Sequence, residues 1–288
     1  MYLPLGTKEM FIDDTADCRA LMHNQPGMTA TNSGLHNLDG MALRRCVLGH
    51  PQLEPLKLQT DSRYKIIEMV RHQDGSAVVG DFLAPGQRFV PTASSFTLGA
   101  VWSNEDLRDF VGRINSGPAG IWIRGALQSQ IACDLSQSWA RRQYALSHYP
   151  PLHAPHGWHQ DGALGFDFLS HRGRRLPAEA LLSMVTCWVA MESCGVQSPG
   201  LELVTRRLKE LLTPSDLAEE RVRKRFVPEE FWRPVLEPGD ALLFCGDILH
   251  RTHVTPAMTK DRTSIELRFF PADNIPERLK NDHFVLLK

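Results

Sequence analysis

An excess of either charge is missing from this chain: 32 Lys and Arg stand against 33 Asp and Glu, a formal net charge of −1. That balance provides no basic footprint for nucleic acid and no cationic face for an anionic membrane. No apolar run approaches the roughly 20 residues that a membrane-spanning helix needs. The first residues carry Lys8, Glu9, Asp13 and Asp14 instead of a basic segment followed by an apolar one, so no secretory leader is expected. The six cysteines, Cys18, Cys46, Cys133, Cys187, Cys194 and Cys245, show no C-x-x-C spacing and no framework of a short disulfide-bonded domain. Cys187 and Cys245 sit in strand-like runs and read as buried small hydrophobes. Internal repeats and low-complexity tracts are absent too. These absences agree with a chain of a reducing, cytoplasmic compartment, and the lack of a basic surface points to a small-molecule partner and not to a macromolecule; the oligomeric state is left open. Hydrophobic content of 42% and charged content of 23% are ordinary globular values. The length suits one large domain over 1–288.

Against this background one stretch stands out. Trp158-His159-Gln160-Asp161 contains an H-x-D pair. At the end of an extended strand, residues i and i+2 point to the same face, so an imidazole and a carboxylate can reach one metal. A second imidazole from a distant strand would complete a two-His, one-carboxylate face, which leaves three positions open, as in non-haem Fe(II) oxygenases. The partner segment lies about ninety residues on. Pro238-Gly239-Asp240 is a turn, Ala241-Leu242-Leu243-Phe244 a short apolar strand, and His250 follows. A second strand begins at Arg262 and alternates from Thr263 to Phe269. Arg262 and Ser264 share one face of it, and a guanidinium beside a hydroxyl suits a carboxylate.

These segments, with the strand Trp188-Val189-Ala190-Met191-Glu192 and the turn-strand Pro199-Gly200-Leu201-Glu202-Leu203-Val204, occur in the order found in the phytanoyl-CoA dioxygenase family, which the chain resembles over 143–273. The resemblance implies a mainly β (α+β) fold: a double-stranded β-helix, or jelly roll, with flanking helices. It implies an Fe(II)- and 2-oxoglutarate-dependent dioxygenase using O2. Iron would be ligated by His159, Asp161 and His250. Arg262 would pair with the far carboxylate of 2-oxoglutarate with Ser264 assisting, and Trp188 would lie against the cosubstrate. Gln143 is expected to reach it as well. The outcome would be hydroxylation of an unactivated C–H bond of a metabolite, with succinate and CO2 released. A carboxylate at Asp161 leaves no position for the halide that related halogenases bind, so hydroxylation is favoured over halogenation.

The chain also departs from the family pattern. Val204-Thr205-Arg206-Arg207 stands where many relatives have Pro-Gly-Ser-His, Ser198-Pro199-Gly200 replaces Asn-Gly, and Arg251-Thr252-His253 replaces Gly-x-Asn. His253 rivals His250 as the distal ligand, although the twelve residues from His250 to Arg262 fit the family better than nine. Trp188 could be ordinary core, and Arg262 a solvated strand-edge charge. Arg268, six residues beyond Arg262, serves as an expected control without a cosubstrate role. His148, His153 and His156 lie in a proline-rich stretch and read as loop surface or substrate contacts. His171 reads as an exposed loop residue. Two other classes stay open: a cupin-like metal-dependent hydrolase or isomerase, and a silent barrel acting as a binding module.

For the rest of the chain, residues 1–95 read as an N-terminal extension packed on the core, with turns at 30–34 and 73–75 and strand-like runs at 65–70 and 77–83. Ser103 is expected to cap a helix whose apolar face is Leu107, Phe110, Val111 and Ile114, stopped at Asn115-Ser116-Gly117-Pro118. A strand at 120–127, a helix at 128–141, a first core strand at 143–149 and a buried strand at 181–191 follow. The insertion 206–233 is expected to hold a helix from Thr213 onward, its mixed charges solvated, in a position to act as a lid.

Overall fold

The computed structural model describes residues 35–74, 94–100, 102–148, 155–172, 174–280 and 283–287. Its elements, in chain order, are β1 (Leu35–Leu38), β2 (Met41–Arg44), α1 (His50–Asp74), β3 (Ser94–Thr97), α2 (Asn104–Ser116), α3 (Pro118–Leu127), β4 (Ile131–Asp134), β5 (Trp139–Gln143), β6 (Val185–Ala190), β7 (Gly200–Val204), α4 (Glu219–Arg225), β8 (Phe231–Trp232), β9 (Ala241–Cys245), β10 (His250–His253), β11 (Arg262–Pro271) and β12 (Phe284–Leu287). The architecture is the mainly β one expected, with helices flanking two sheets. The larger sheet runs β1-β2-β9-β6-β11, and beyond β11 it continues as β5-β3 at one end and β4-β12 at the other. The smaller runs β10-β7-β8. They meet where the His250 ring of the small sheet lies 4.5 Å from that of Phe244 in the large one.

β11 organises the molecule. All ten of its residues are buried, yet its two faces differ. Ile265, Leu267 and Phe269 join the main core with Leu107, Phe110, Ile114 and Ile123 of α2 and α3. The other face carries Arg262, Ser264, Glu266 and Arg268. A central strand covered on both sides is ordinarily apolar throughout, and burying charge is costly unless it is paired. This polar face therefore marks the place where structure serves chemistry.

Local signals hold where they are strongest. Ser103 Oγ accepts from the Asp106 amide at 3.1 Å and the Asp106 side chain accepts in return from the Ser103 amide. Such a capping box is worth about 1 kcal/mol. The helix buries the four apolar residues named for it and ends at Ser116. The Pro-Gly-Asp turn also holds. Gly239 has φ +86°, where a side chain would run into the Leu48 carbonyl, and Asp240 accepts from the Cys46 and Glu237 amides and pairs with Arg45. Cys187 and Cys245 are buried as expected, and burial pushes the Cys187 thiol up to about 12.

Several expectations fail, the turn at 73–75 among them, because Gln73 and Asp74 still belong to α1. Residues 120–127 form α3, not a strand: Pro118 at the first helical turn and the helical spacing of Ala119, Gly120 and Ile123 against the core decide it. Residues 128–141 hold β4 and the start of β5 instead of a helix, because Cys133 pairs with Phe269 and Ala140 with Ile265 far along the chain. The first core strand spans Trp139–Gln143, earlier than 143–149, which continues into a short 3-10 turn. Residues 65–70 lie in α1. The run at 77–83 and the turn at 30–34 lie outside the described residues. The 181–191 strand is seen as Val185–Ala190. The insertion helix is the short Glu219–Arg225, beginning after a turn at Thr213. Among the described residues no helix is long and apolar enough to cross a membrane.

Candidate active site

His159, Asp161 and His250 converge: one ligand atom from each lies within 4.8 Å of the others. A two-residue bridge achieves this. His159 and His250 exchange backbone hydrogen bonds of 2.9 and 3.0 Å, which joins the segment before Asp161 to the start of β10. Gly162 then packs backbone to backbone on Gly246, its amide donating at 2.8 Å to the Gly246 carbonyl. A side chain at either position would collide with the other strand. This close approach sets Asp161 beneath the two rings, whose centroids are 4.1 Å apart.

Each imidazole is oriented by its neighbours. His159 Nδ1 donates to the Gly157 carbonyl at 2.8 Å, and His250 Nδ1 to the Ile248 carbonyl at 3.0 Å. Both Nε2 atoms then present lone pairs, 3.8 and 3.9 Å from Asp161 Oδ1. Fixing one ring nitrogen so that the other can coordinate is the usual arrangement for a metal-binding histidine. Burial, then the neighbouring His159, pushes His250 down to about 4, which leaves it neutral near pH 7. Burial alone would raise the Asp161 carboxyl. Arg268, His250, His159 and the Thr186 hydroxyl outweigh it and hold the group well below the usual carboxylate range. Thr186 Oγ1 donates to Asp161 Oδ2 at 2.5 Å and Arg268 Nη2 pairs with the same oxygen at 3.2 Å. Oδ2 is thereby occupied, and Oδ1 is turned toward the histidines.

The rival histidine points elsewhere. Along β10, His250 and Thr252 are buried, while Arg251 and His253 lie on the opposite face. The charges that act on His253 are Arg233, Glu202, Arg251 and Arg223, not those of the triad.

Arg262 is 1% exposed. Its Nη1 donates to Ser264 Oγ at 2.6 Å, its Nε to the Pro199 carbonyl at 3.2 Å, and the guanidinium carbon lies 4.6 Å from the Trp188 ring centroid. Among the described residues no carboxylate comes within 4 Å of it, and burial lowers its pKa. Trp188 is buried as well, with an indole N–H that has no hydrogen-bond partner among the described residues. A buried cation without an anion is costly. It implies an anion that arrives from outside. Gln143 sits beside Arg262 in register, buried.

Several residues near the triad were not singled out from the sequence. Arg268, taken as a remote control, instead touches a member of the triad. Glu266 bridges Arg268 Nη2 at 3.2 Å and Arg141 Nε at 3.1 Å. Arg141 Nη1 donates to His156 Nε2 at 3.1 Å, and the His156 ring meets His159 edge-on at 5.2 Å. His156 is therefore half-buried against the triad and not free loop surface. The available signal was parity: Glu266 and Arg268 share the face of Arg262 in an alternating strand. His171 is half-buried, its ring bonded to Ser170.

The insertion is bound to the outer face of the small sheet. Glu202 is fully buried and accepts from Arg223, Arg233 and Arg251 at 2.6 to 2.9 Å. Burial would raise its pKa, but the three arginines hold it down at about 2. Glu219 accepts from Trp158 Nε1 and from Arg251, both at 2.6 Å. Of the charges expected to be solvated, Glu219 and Arg223 are thus tied into an ion-pair network. Arg207 makes a two-pronged pair with Asp247 at 2.8 and 3.0 Å. The family-departing Arg207 and Arg251 thus have structural partners.

Known structures share this fold. The non-heme alpha ketoglutarate dependent epimerase SnoN from nogalamycin biosynthesis matches with a TM-score of 0.52 and 15% identity, over 86% of this chain and 94% of its own. The carbocyclase SnoK from the same biosynthesis matches at 0.54 and 16%, over 86% and 92%. EctD from S. alaskensis with bound Fe matches at 0.55 and 12%, over 83% and 75%. Identities this low establish the fold. No protein-family model matches the chain, and no curated protein sequence does.

Proposed function

We propose that this chain is an Fe(II)- and 2-oxoglutarate-dependent dioxygenase of the phytanoyl-CoA dioxygenase kind. It would hydroxylate an unactivated C–H bond of a small-molecule metabolite. The observation that carries the reading is the pairing, inside one barrel, of the His159–Asp161–His250 cluster with a buried guanidinium that lacks an anion. Two imidazoles and one carboxylate fit Fe(II) and leave three positions for other ligands. Arg262, Ser264 and the unpartnered Trp188 N–H fit the far end of a dicarboxylate. The reading takes 1–288 as one catalytic domain with 143–273 as its core, working in a reducing, cytoplasmic setting.

Bound iron and 2-oxoglutarate supply activation of O2 coupled to oxidative decarboxylation of the keto acid, which gives succinate and CO2. The chain's own residues position. His159 and His250 present Nε2 because their Nδ1 atoms are tied to carbonyls. Thr186 and Arg268 occupy Asp161 Oδ2 and leave Oδ1 for the metal. Arg262 and Ser264 would hold the distal carboxylate, with the guanidinium carbon 4.6 Å from the Trp188 ring centroid. A carboxylate at position 161 leaves no place for a halide, which favours hydroxylation over halogenation.

The test is anaerobic addition of Fe(II) and 2-oxoglutarate. A weak visible charge-transfer band is expected from a keto acid chelated to iron. Tight metal binding without the band would favour a hydrolase or isomerase, and no metal binding a silent barrel. Product analysis then separates hydroxylation from epimerisation or ring closure, the reactions for which SnoN and SnoK are named.

A further inference from the structure

The charged side chains around the triad do not balance. Among the described residues, the three arginines Arg141, Arg262 and Arg268 have two carboxylates, Asp161 and Glu266, within ion-pair distance. A divalent metal and the dianion of 2-oxoglutarate cancel each other when both are bound. One positive charge is left over in a space where an uncompensated ion is costly.

The surplus can be located. Arg262 faces the cosubstrate end of β11, and Arg268 is engaged by Asp161 and Glu266 through Nη2, its remaining Nη1 being buried away from solvent. Arg141 is the one that retains reach. Its Nε lies 3.1 Å from a Glu266 carboxylate oxygen without a well-aligned hydrogen bond, its Nη1 touches His156, and Nη2 makes no hydrogen bond with any described residue. Its side chain is 11% exposed, so this end of the guanidinium meets solvent. His156 is the single ring between Arg141 and the metal-facing His159. An anion held by Arg141 would place the remainder of a small molecule beside the triad. The planar guanidinium fork matches a carboxylate in two parallel bonds.

We propose that the substrate is an organic anion, a carboxylate, whose charged end is taken by the outer edge of Arg141; this rests on the reading of the site as a 2-oxoglutarate oxygenase. Arg141 is then a specificity-determining residue, distinct from the cosubstrate-binding Arg262.

The experiment uses acetate as the probe and acetamide as its neutral counterpart. The full chain is loaded with Mn(II) and saturating 2-oxoglutarate, and methyl-proton relaxation of each probe is followed as it is titrated. Acetate should show saturable enhancement and acetamide none. In Arg141→Gln the acetate effect should weaken at least tenfold, and in Arg141→Lys it should be partly retained. No saturable acetate effect in the wild type, an equal effect of acetamide, or an acetate effect unchanged in Arg141→Gln would overturn the proposal. If Arg141→Gln does not fold, undiminished acetate affinity in Arg141→Lys would do the same, since an ammonium cannot reproduce the fork. Saturable acetate binding in a chain that forms no charge-transfer band with Fe(II) and 2-oxoglutarate would instead count against the proposed function and leave Arg141 as an anion site.

Discussion

Two regions of this molecule bury carboxylates among arginines, and they do it differently. On the outer face of the small sheet, Glu202 has both oxygens filled by Arg223, Arg233 and Arg251. Inside the barrel, Asp161 and Glu266 share Arg268 and Arg141, while Arg262 meets no carboxylate and Arg268 Nη1 and the Trp188 N–H meet no acceptor among the described residues. The first cluster is complete and holds an insertion in place. The second is short of partners on the side that faces the triad. Buried polar groups are nearly always satisfied in a finished structure, so a concentration of unsatisfied ones marks where ligands complete the protein.

The contrast can be broken most severely at Asp161. Asp161→Ala should reduce Fe(II) affinity more than the roughly 100-fold reached by losing a mere ligand-orienting group, measured by anaerobic metal titration. His159→Ala should behave alike, and stoichiometric iron in either variant would remove the metal assignment. The outer cluster should respond in stability instead. Glu202→Gln leaves three cations facing a neutral amide and should destabilise the chain by about 3 kcal/mol, read by urea unfolding, with the iron titration of the folded protein unchanged. Because Glu202 has a depressed pKa, its contribution is present above its ordinary value of 4.5 and is lost as pH falls toward about 2. The variant should lack that part of the acid dependence.

Arg262 tests the opposite case. Arg262→Ala should weaken 2-oxoglutarate by about thirtyfold or more, equivalent to about 2 kcal/mol, seen in titration of the charge-transfer band. Iron affinity and the stability of the metal-free chain should hold within about 1 kcal/mol, since no ion pair is broken there. Arg262→Lys should be only partly rescued. Arg268→Ala should lower iron affinity about 10- to 100-fold by freeing Asp161 Oδ2 while sparing the 2-oxoglutarate affinity of whatever fraction loads iron. Smallest of all, His253→Ala should leave the metal titration unchanged, because its ring faces the Glu202 side of β10. A loss of iron there would move the distal ligand by three residues.

Local chemistry made part of this legible. The His159–Asp161 spacing, the Pro-Gly-Asp turn before β9, the Ser103 cap and the alternation of β11 are set by periods and dihedrals that a short segment carries by itself. These pointed to a metal-binding His–Asp pair and a carboxylate-seeking arginine, while the barrel and the complete ligand set were what the family resemblance implied. Tertiary structure decided the rest. Whether 120–127 and 128–141 were helix or strand depended on what packed or paired against them, such as Phe269 opposite Cys133. Arg141 and Glu266 drew no notice, and Arg268 was taken for a control, because charge in a strand ordinarily reads as its solvent face. Closure of the two sheets turned that face inward, and in a space with little water the same charges became interdependent. A sequence records which side chains share a face; only the folded chain sets whether that face looks on water or on the other sheet, and that sets whether a charge is cheap to leave unpaired.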